Sequence, residues 1–253
     1  LLDVTMTSQS THDSRPMMRL CGPAIQDTCS ELRVLERLLP LEGAQILELG
    51  CGAAEKTRLL AERCGVAHIV AAEVDRIQHQ KNLTITDLPK VTFESFGAEA
   101  IPFGDNEFDV VLMFKSLHHV PLAQLQTALQ EICRVLKPGG LAYISEPVFE
   151  GPFNDIMQLF HNEEIVRKAA FDAVTHVVEN GTLELAEEYF FRNAIRFRSF
   201  EQFAEGVMNV THSDYTITPD VYEEVRSRFM QHASPEGFAF EIPNRIDLLR
   251  KPV

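Results

Sequence analysis

One segment of the sequence, Ile46-Leu47-Glu48-Leu49-Gly50-Cys51-Gly52-Ala53-Ala54, joins a strand pattern to a helix pattern through two glycines. The apolar run before the glycines predicts the end of a buried strand, and helical spacing of apolar residues begins at Glu55. A strand, a glycine turn and a helix open a mononucleotide-binding unit, because glycines allow close backbone approach and the helix N-terminus offers free N–H groups. A Gly-x-Gly turn also closes ordinary loops, so the sequence downstream has to distinguish the two interpretations.

A second short strand, residues 67–72, ends at Glu73-Val74-Asp75. Glu73 follows Gly50 at about the 20-residue distance expected for the acid that holds a ribose hydroxyl pair. We take Glu73 as the first candidate because it lies at the predicted strand end, with Asp75 as the alternative. A solvated acid at a strand end is the non-functional interpretation of either residue.

Strand patterns at residues 90–94, 109–114 and 141–145 alternate with helix patterns at 76–83 and 122–136. This alternation predicts an α/β fold with a doubly wound, mostly parallel sheet. Residues 115–121 follow the fourth strand, at the edge where open α/β sheets bind ligands.

The pattern changes after about residue 150, where helices are predicted at 153–178, 183–191 and 200–208, and from Pro219 onwards. Two short strands, 238–242 and 245–250, are predicted to form an antiparallel pair around Pro243-Asn244. We therefore divide the chain into an N-terminal lid segment and helix (1–40), an α/β core (41–150), a helical cap (151–235) and C-terminal strands that complete the sheet (236–253).

Composition narrows the classes of function. The formal net charge of −14 over 253 residues repels nucleic acid and anionic lipid surfaces. The five cysteines include no Cys-x-x-Cys pair, and no apolar run reaches the roughly 20 residues that a membrane span requires. We expect a cytoplasmic protein that binds neither nucleic acid nor membrane, and leave a homodimer open.

Four motifs in the correct order resemble those of class I S-adenosylmethionine-dependent methyltransferases, in the small-molecule branch called methyltransferase type 11. The resemblance covers roughly residues 30–150. The motifs are Ile46–Gly52, Ala100–Phe103 continuing to Phe108–Val111, Leu117–Val120, and Arg134–Gly140.

The resemblance implies S-adenosylmethionine as the cofactor and gives its binding residues their roles. Glu48 is expected near the methionine amino group, Glu73 at the ribose diol and the Ala98 backbone N–H at the adenine edge. The expected cofactor-binding set is Glu48, Gly50, Cys51, Gly52, Glu73, Val74, Ala98, Glu99, Phe114 and Lys115. Two departures stand out: Ala54 replaces a third glycine, and Gly97 replaces an aspartate that commonly contacts the adenine amine.

The implied reaction is methyl transfer to O, N or C of a small-molecule acceptor. A general base is required only where the acceptor loses a proton, and His119 and His118 are the candidates because histidine titrates near neutrality. A structural hydrogen bond at a helix start is the alternative for both. Glu146 could contact substrate or cap the next helix. The histidine spacings match no metal-ligand set, so no metal is expected.

Two other functions compete with this one. A methyltransferase-like module could bind the cofactor without transferring the methyl group, and the Gly97 departure favours that alternative. An NAD-dependent dehydrogenase shares the first strand, turn and helix, but Glu55 stands where its third glycine would be.

Overall fold

A mostly parallel β-sheet forms the centre of the computed structural model, which describes residues 18–22, 25, 27–208 and 217–253. Its order is β3-β2-β1-β4-β5-β8-β6, and β7 pairs with β8. The first five strands are parallel, whereas β8 runs antiparallel to both β5 and β6. The predicted doubly wound fold with a C-terminal antiparallel pair is confirmed. The strands are β1 (Gln45–Leu49), β2 (His68–Ala72), β3 (Val91–Glu94), β4 (Phe108–Phe114), β5 (Leu136–Pro147), β6 (Glu184–Phe197), β7 (Ala233–Ser234) and β8 (Gly237–Arg250).

Helices cover both faces of this sheet, because alternate strand residues point to opposite sides. Leu47 packs in the core beneath α4 and α6, whereas Ile46 packs in the core beneath α1 and α2. Both side chains are fully buried. Among the described residues, none of the helices is long and apolar enough to cross a membrane. The helices are α1 (Glu31–Leu38), α2 (Glu55–Arg63), α3 (Arg76–Asn82), α4 (Leu125–Val135), α5 (Pro152–Met157), α6 (Glu164–Glu179), α7 (Phe200–Phe203) and α8 (Pro219–Met230).

The helix predicted at 183–191 is wrong, since these residues belong to strand β6. Phe190 packs with Ile25 and Val148, whereas Phe191 packs on the opposite face of the sheet with the α1 and α2 side chains. Consecutive aromatic residues buried on opposite faces are a strand feature. Pairing with β8 holds residues 184–197 in the strand conformation. Because β8 is distant in sequence, a local sequence pattern does not indicate this pairing.

The two strands predicted at 238–242 and 245–250 are one continuous strand, β8. Pro243 lies opposite Arg192 of β6. The Arg192 N–H and carbonyl point away from β8, to the Asp27 carbonyl at 2.8 Å and the Cys29 N–H at 3.0 Å. Pro243 therefore occupies a non-hydrogen-bonded position towards β6, so its missing N–H leaves the pairing of β6 with β8 intact. The antiparallel pair is β6 with β8, not a hairpin around Pro243-Asn244.

The other predicted helices are present, but they begin and end at different residues from those predicted. The helix predicted at 153–178 is two helices, α5 and α6, and α7 continues to Met208 as a π-helical turn. The helix predicted to start near Pro219 is confirmed, with the Thr218 hydroxyl accepting the Val221 N–H at 3.4 Å. At the other end, α1 begins only at Glu31, and residues 1–17 of the expected lid lie outside the described part of the chain.

Candidate functional site

A cavity of about 750 Å³ opens at the carboxyl ends of the parallel strands, beside the point where β1 and β4 lie next to each other. Strand order reverses between these two strands, and open α/β sheets bind ligands at such positions. The wall includes eight of the ten residues of the expected cofactor set, together with His119, so the fold brings most of that set together. The eight residues of the set are Gly50, Gly52, Glu73, Val74, Ala98, Glu99, Phe114 and Lys115.

The glycine turn is held by the neighbouring strand β2. The N–H groups of Gly50 and Cys51 donate to the Ala72 carbonyl at 2.9 and 3.0 Å, and Gly52 has φ of +53°. A Cβ added at Gly52 would meet nothing within 4 Å. Since Gly52 also lines the cavity, the turn leaves open space where a ligand would pass the backbone.

Glu73 is anchored by backbone N–H groups at the end of β2. Its two carboxylate oxygens accept from Gly52 N at 2.8 Å and from Asp75 N at 2.9 Å. Each carboxylate oxygen can accept a further bond, so the carboxylate is fixed yet able to take two hydroxyl donors. The Asp75 carboxylate instead caps α3, accepting Ile77 N at 2.8 Å and Gln78 N at 3.2 Å. The geometry favours Glu73 over Asp75 as the ribose acid.

At Gly97, where the resemblance leads one to expect an aspartate, the space for a side chain is occupied by the neighbouring residue Glu99. A Cβ added at Gly97 would lie 2.3 Å from the nearer carboxylate oxygen of Glu99. Glu99 and Ala98 both line the cavity here, beside Phe96. A carboxylate therefore lies at this end of the cavity although residue 97 carries no side chain.

The exit of β4 is fixed to both neighbouring strands. Lys115 has a left-handed backbone with φ of +54°, and its N–H donates to the Ser145 carbonyl of β5 at 2.7 Å. The Ser116 hydroxyl donates to the Leu49 carbonyl of β1 at 2.8 Å. Burial lowers the pKa of the Lys115 amine, which the nearby Glu31 carboxylate opposes. A left-handed non-glycine residue is costly, and such residues cluster at functional sites.

Two residues of the expected set, Glu48 and Cys51, do not line the cavity. The Glu48 side chain is buried and accepts from the Thr57 hydroxyl at 2.7 Å. Burial raises its pKa to about 7, against the opposing effect of the Thr57 hydrogen bond. The Cys51 thiol is buried beside the Asn82 amide, 3.5 Å away, and burial raises its pKa. Their predicted contacts with a cofactor stay predictions.

The two candidate bases, His118 and His119, have different surroundings. His119 is exposed and lines the cavity, whereas His118 is 4% exposed and does not. Their ring centroids are 4.1 Å apart. His118 Nδ1 bonds the Glu146 carboxylate, whose other oxygen accepts Leu117 N at 3.0 Å. Glu146 therefore serves the turn at the β4 exit rather than the next helix.

A second carboxylate, Glu163, lies 3.4 Å from His118 Nε2. Burial lowers the pKa of His118, but the Glu146 and Glu163 carboxylates outweigh burial and raise it to about 9. The buried Glu163 carboxyl has its pKa held well below its usual range by His118 and Arg167, despite desolvation. At neutral pH His118 is therefore a fixed imidazolium, with no lone pair to act as a base. Of the pair, His119 is the histidine that lines the cavity.

One group among the described side chains has metal-ligand spacing. Ligand atoms of His118, His119 and Glu163 all lie within 4.8 Å of one another. The sequence spacing could not show this group, because Glu163 belongs to the distant α5–α6 connection.

Sequence reasoning also missed other residues of the site. Ser116 and Phe96 line the cavity, and Asn82 holds the Gly52 carbonyl at 2.8 Å. Position immediately after a predicted strand could have indicated Ser116 and Phe96. No local signal marks Glu163 or Asn82, since both act through contacts that only the folded chain creates.

Comparison with known proteins finds a methyltransferase domain in this chain. Residues 46–140 match the family model described as a methyltransferase domain. An uncharacterized methyltransferase from Synechocystis is 29% identical over 60% of this chain and 79% of its own. The 27-O-demethylrifamycin SV methyltransferase of Amycolatopsis mediterranei is 28% identical over 82% of this chain and 72% of its own. Other curated relatives are matched over 45%, 60% and 47% of their own length.

A solved structure extends the likeness beyond the matched motifs. A candidate methyltransferase from Bacillus halodurans superposes with a TM-score of 0.62 at 19% identity, over 88% of this chain and 99% of its own. At that identity the likeness concerns the fold, and it includes the region after residue 150. The sheet order, the cavity at the ligand edge and the matched segment together show a class I methyltransferase fold with a methyltransferase domain at residues 46–140.

Proposed function

We propose that this protein transfers a methyl group from S-adenosylmethionine to a small-molecule acceptor. The observation that carries the proposal is the Glu73 carboxylate, fixed by Gly52 N at 2.8 Å on the wall of the cavity. Bound S-adenosylmethionine would supply an electrophilic methyl group on a sulfonium. The chain itself supplies binding, alignment and exclusion of water, which can contribute roughly 7–11 kcal/mol to such a reaction.

The wall residues fit the parts of this cofactor. Glu73 would accept the two ribose hydroxyls, and the open left-handed turn at Gly52 would let the nucleoside pass. The Ala98 N–H would face the adenine edge, with the Glu99 carboxylate accepting the amine in place of the missing aspartate. The carbonyls of Phe114 and Lys115 would line the cofactor near the transferred methyl group.

The acceptor side supports a small molecule. A relative named 27-O-demethylrifamycin SV methyltransferase is similar over 82% of this chain, and the net charge of −14 opposes nucleic acid. His119 would take the proton wherever the acceptor hydroxyl or carbon acid must lose one. The reaction would take place in the cytoplasm, a reducing compartment that suits the five free cysteines.

Calorimetry with S-adenosylmethionine, S-adenosylhomocysteine and NADH tests the cofactor assignment. We expect stoichiometric binding of both sulfur nucleosides and no binding of NADH. The Glu73→Gln variant should bind them at least tenfold more weakly, because one of the two carboxylate oxygens that would accept the ribose hydroxyls becomes an NH₂ group. Transfer of a labelled methyl group to an acceptor panel then tests the reaction. Binding without transfer would indicate a cofactor-binding module, and NADH binding alone would indicate a dehydrogenase.

A further inference from the structure

A carboxylate from the α5–α6 connection reaches the buried edge of the sheet. Glu163 immediately precedes α6 and is 8% exposed. One of its oxygens lies 3.4 Å from His118 Nε2 and 2.7 Å from His161 Nε2. The other accepts from Arg167, at 2.5 Å from Nη2 and 3.1 Å from Nε. Arg167 is held in turn by Asn154 of α5, whose Oδ1 accepts Nη1 at 3.2 Å.

We propose that Glu163 is a positioning residue for the methyl-transfer site, which holds His118 from the side opposite Glu146 and thereby fixes His119 at the cavity wall. This inference rests on the proposed function. It assigns to the helical region after β5 a part in the chemistry, besides covering the sheet.

The clamp follows from the hydrogen-bonding capacity of the ring. A protonated imidazole has two N–H groups at opposite ends, and here Glu146 faces one while Glu163 faces the other. With a carboxylate facing each end, rotation of the ring would break both contacts. Charge-assisted bonds of this kind are the stronger ones, and burial reduces their screening by salt.

The held ring controls its neighbour because the two histidines share one short turn. Residues Leu117–His119 form a single 3₁₀ turn, with Leu117 N bonded to Glu146 at 3.0 Å. The His118 and His119 rings lie 4.1 Å apart between centroids. Movement of His118 therefore displaces His119, and a displacement of about 1 Å at a reacting site can cost about a hundredfold in rate.

The titratable and charged groups around His118 come from three elements. Glu146 lies at the end of β5, His119 on the same turn, and the α5–α6 connection with α6 supplies Glu163, His161 and Arg167. Replacing Glu163 removes a negative charge, so His118 loses its proton at lower pH than in the wild type.

The test compares Glu163→Gln and Glu163→Ala with Glu164→Gln, the same chemical change at the exposed neighbouring residue. We expect kcat to fall about 10- to 100-fold in Glu163→Ala, the usual cost of losing the partner that orients a histidine. Glu163→Gln should retain part of the activity, because its amide oxygen can still face the Nε2 N–H of His118. The affinity for S-adenosylhomocysteine should change less than twofold in all three variants, since Glu163 does not line the cavity.

Histidine NMR supplies a readout that a purely structural role would not move. The His118 ring signals should show protonation persisting to about pH 9 in the wild type and in Glu164→Gln, and ending at lower pH in both Glu163 variants. The NMR titration requires no turnover. It therefore tests whether Glu163 holds His118 even if the wild type transfers no methyl group and the proposed function fails.

Two results would overturn the inference. One is a Glu163→Gln variant with the same kcat, pH profile and His118 titration as Glu164→Gln. The other is stoichiometric Zn²⁺ binding by the wild type that Glu163→Gln abolishes and activity requires, because Glu163 would then be a ligand alongside His118 and His119.

Discussion

At the scale of single residues, alanine variants of Gly52 and Gly43 distinguish an effect on ligand binding from an effect on the stability of the fold. Both have left-handed backbones, with φ of +53° and +70°, and a Cβ added to either would meet nothing within 4 Å. Only Gly52 lines the cavity. Each alanine variant should lose about 1–2 kcal/mol of stability from the left-handed strain. Gly52→Ala should in addition weaken S-adenosylhomocysteine binding at least tenfold in calorimetry, whereas Gly43→Ala should bind as the wild type does.

Gly50 would be a less informative choice for that experiment. Its φ is +75°, and an added Cβ would lie 2.7 Å from Ser116 Cβ, so a substitution there disturbs the β4 exit as well as the cavity. Equal affinity in Gly52→Ala and Gly43→Ala would contradict the proposed passage of the nucleoside over the turn.

At the scale of elements, α8 is attached through an aromatic cluster that is separate from the site. Phe229 is fully buried, with ring centroids 4.7 Å from Phe203 and 4.4 Å from Phe238. Phe229→Ala should cost about 3–5 kcal/mol in urea unfolding, because it leaves a cavity among rigid rings. Met230→Ala, the neighbouring and 46% exposed residue, should cost less than about 0.5 kcal/mol.

The same comparison tests whether the cluster and the ligand site are independent. Where the protein stays folded, both α8 variants should bind S-adenosylhomocysteine with wild-type affinity, since no residue of α8 lines the cavity. A large loss of affinity in Phe229→Ala, measured well below its unfolding midpoint, would show that the cluster supports the site.

The elements also show how far the sequence predicts this molecule. Segments whose secondary structure is set by residues nearby in sequence, such as β1, the glycine turn and α2, were predictable because periodicity and turn chemistry act locally. Strand β6 was not, because its partner β8 lies some 50 residues away and Phe190-Phe191 suits either a helix or a strand. The site divides in the same way: Glu73 follows from its spacing to Gly50, whereas the approach of Glu163 to His118 requires the folded chain.

At the scale of the whole molecule, buried titratable groups set how stability depends on pH. Burial raises the pKa of Glu48 from 4.5 to about 7 and that of Asp247 from 3.8 to about 6. The native protein binds these protons where the unfolded chain has lost them, so stability falls as pH rises through both windows. Burial lowers the pKa of His118, but two carboxylates outweigh burial and raise it to about 9. The stability that His118 contributes is therefore complete below pH 6.5 and is lost as pH rises to about 9. The lowered pKa of Glu163 acts oppositely, and its contribution is lost as pH falls below 4.5.

These shifts together predict maximum stability near pH 4 and a decline towards pH 9. The variant Glu48→Gln isolates the contribution of Glu48 to that decline. Glutamine can still accept the Thr57 hydroxyl and carries no charge to desolvate. Relative to wild type, the variant should gain up to about 3 kcal/mol in unfolding free energy between pH 5 and pH 8. Urea unfolding at several pH values measures this, with Glu55→Gln on the exposed start of α2 as the control. A wild-type curve parallel to that of Glu48→Gln would mean that Glu48 is ionised at no cost in the folded protein.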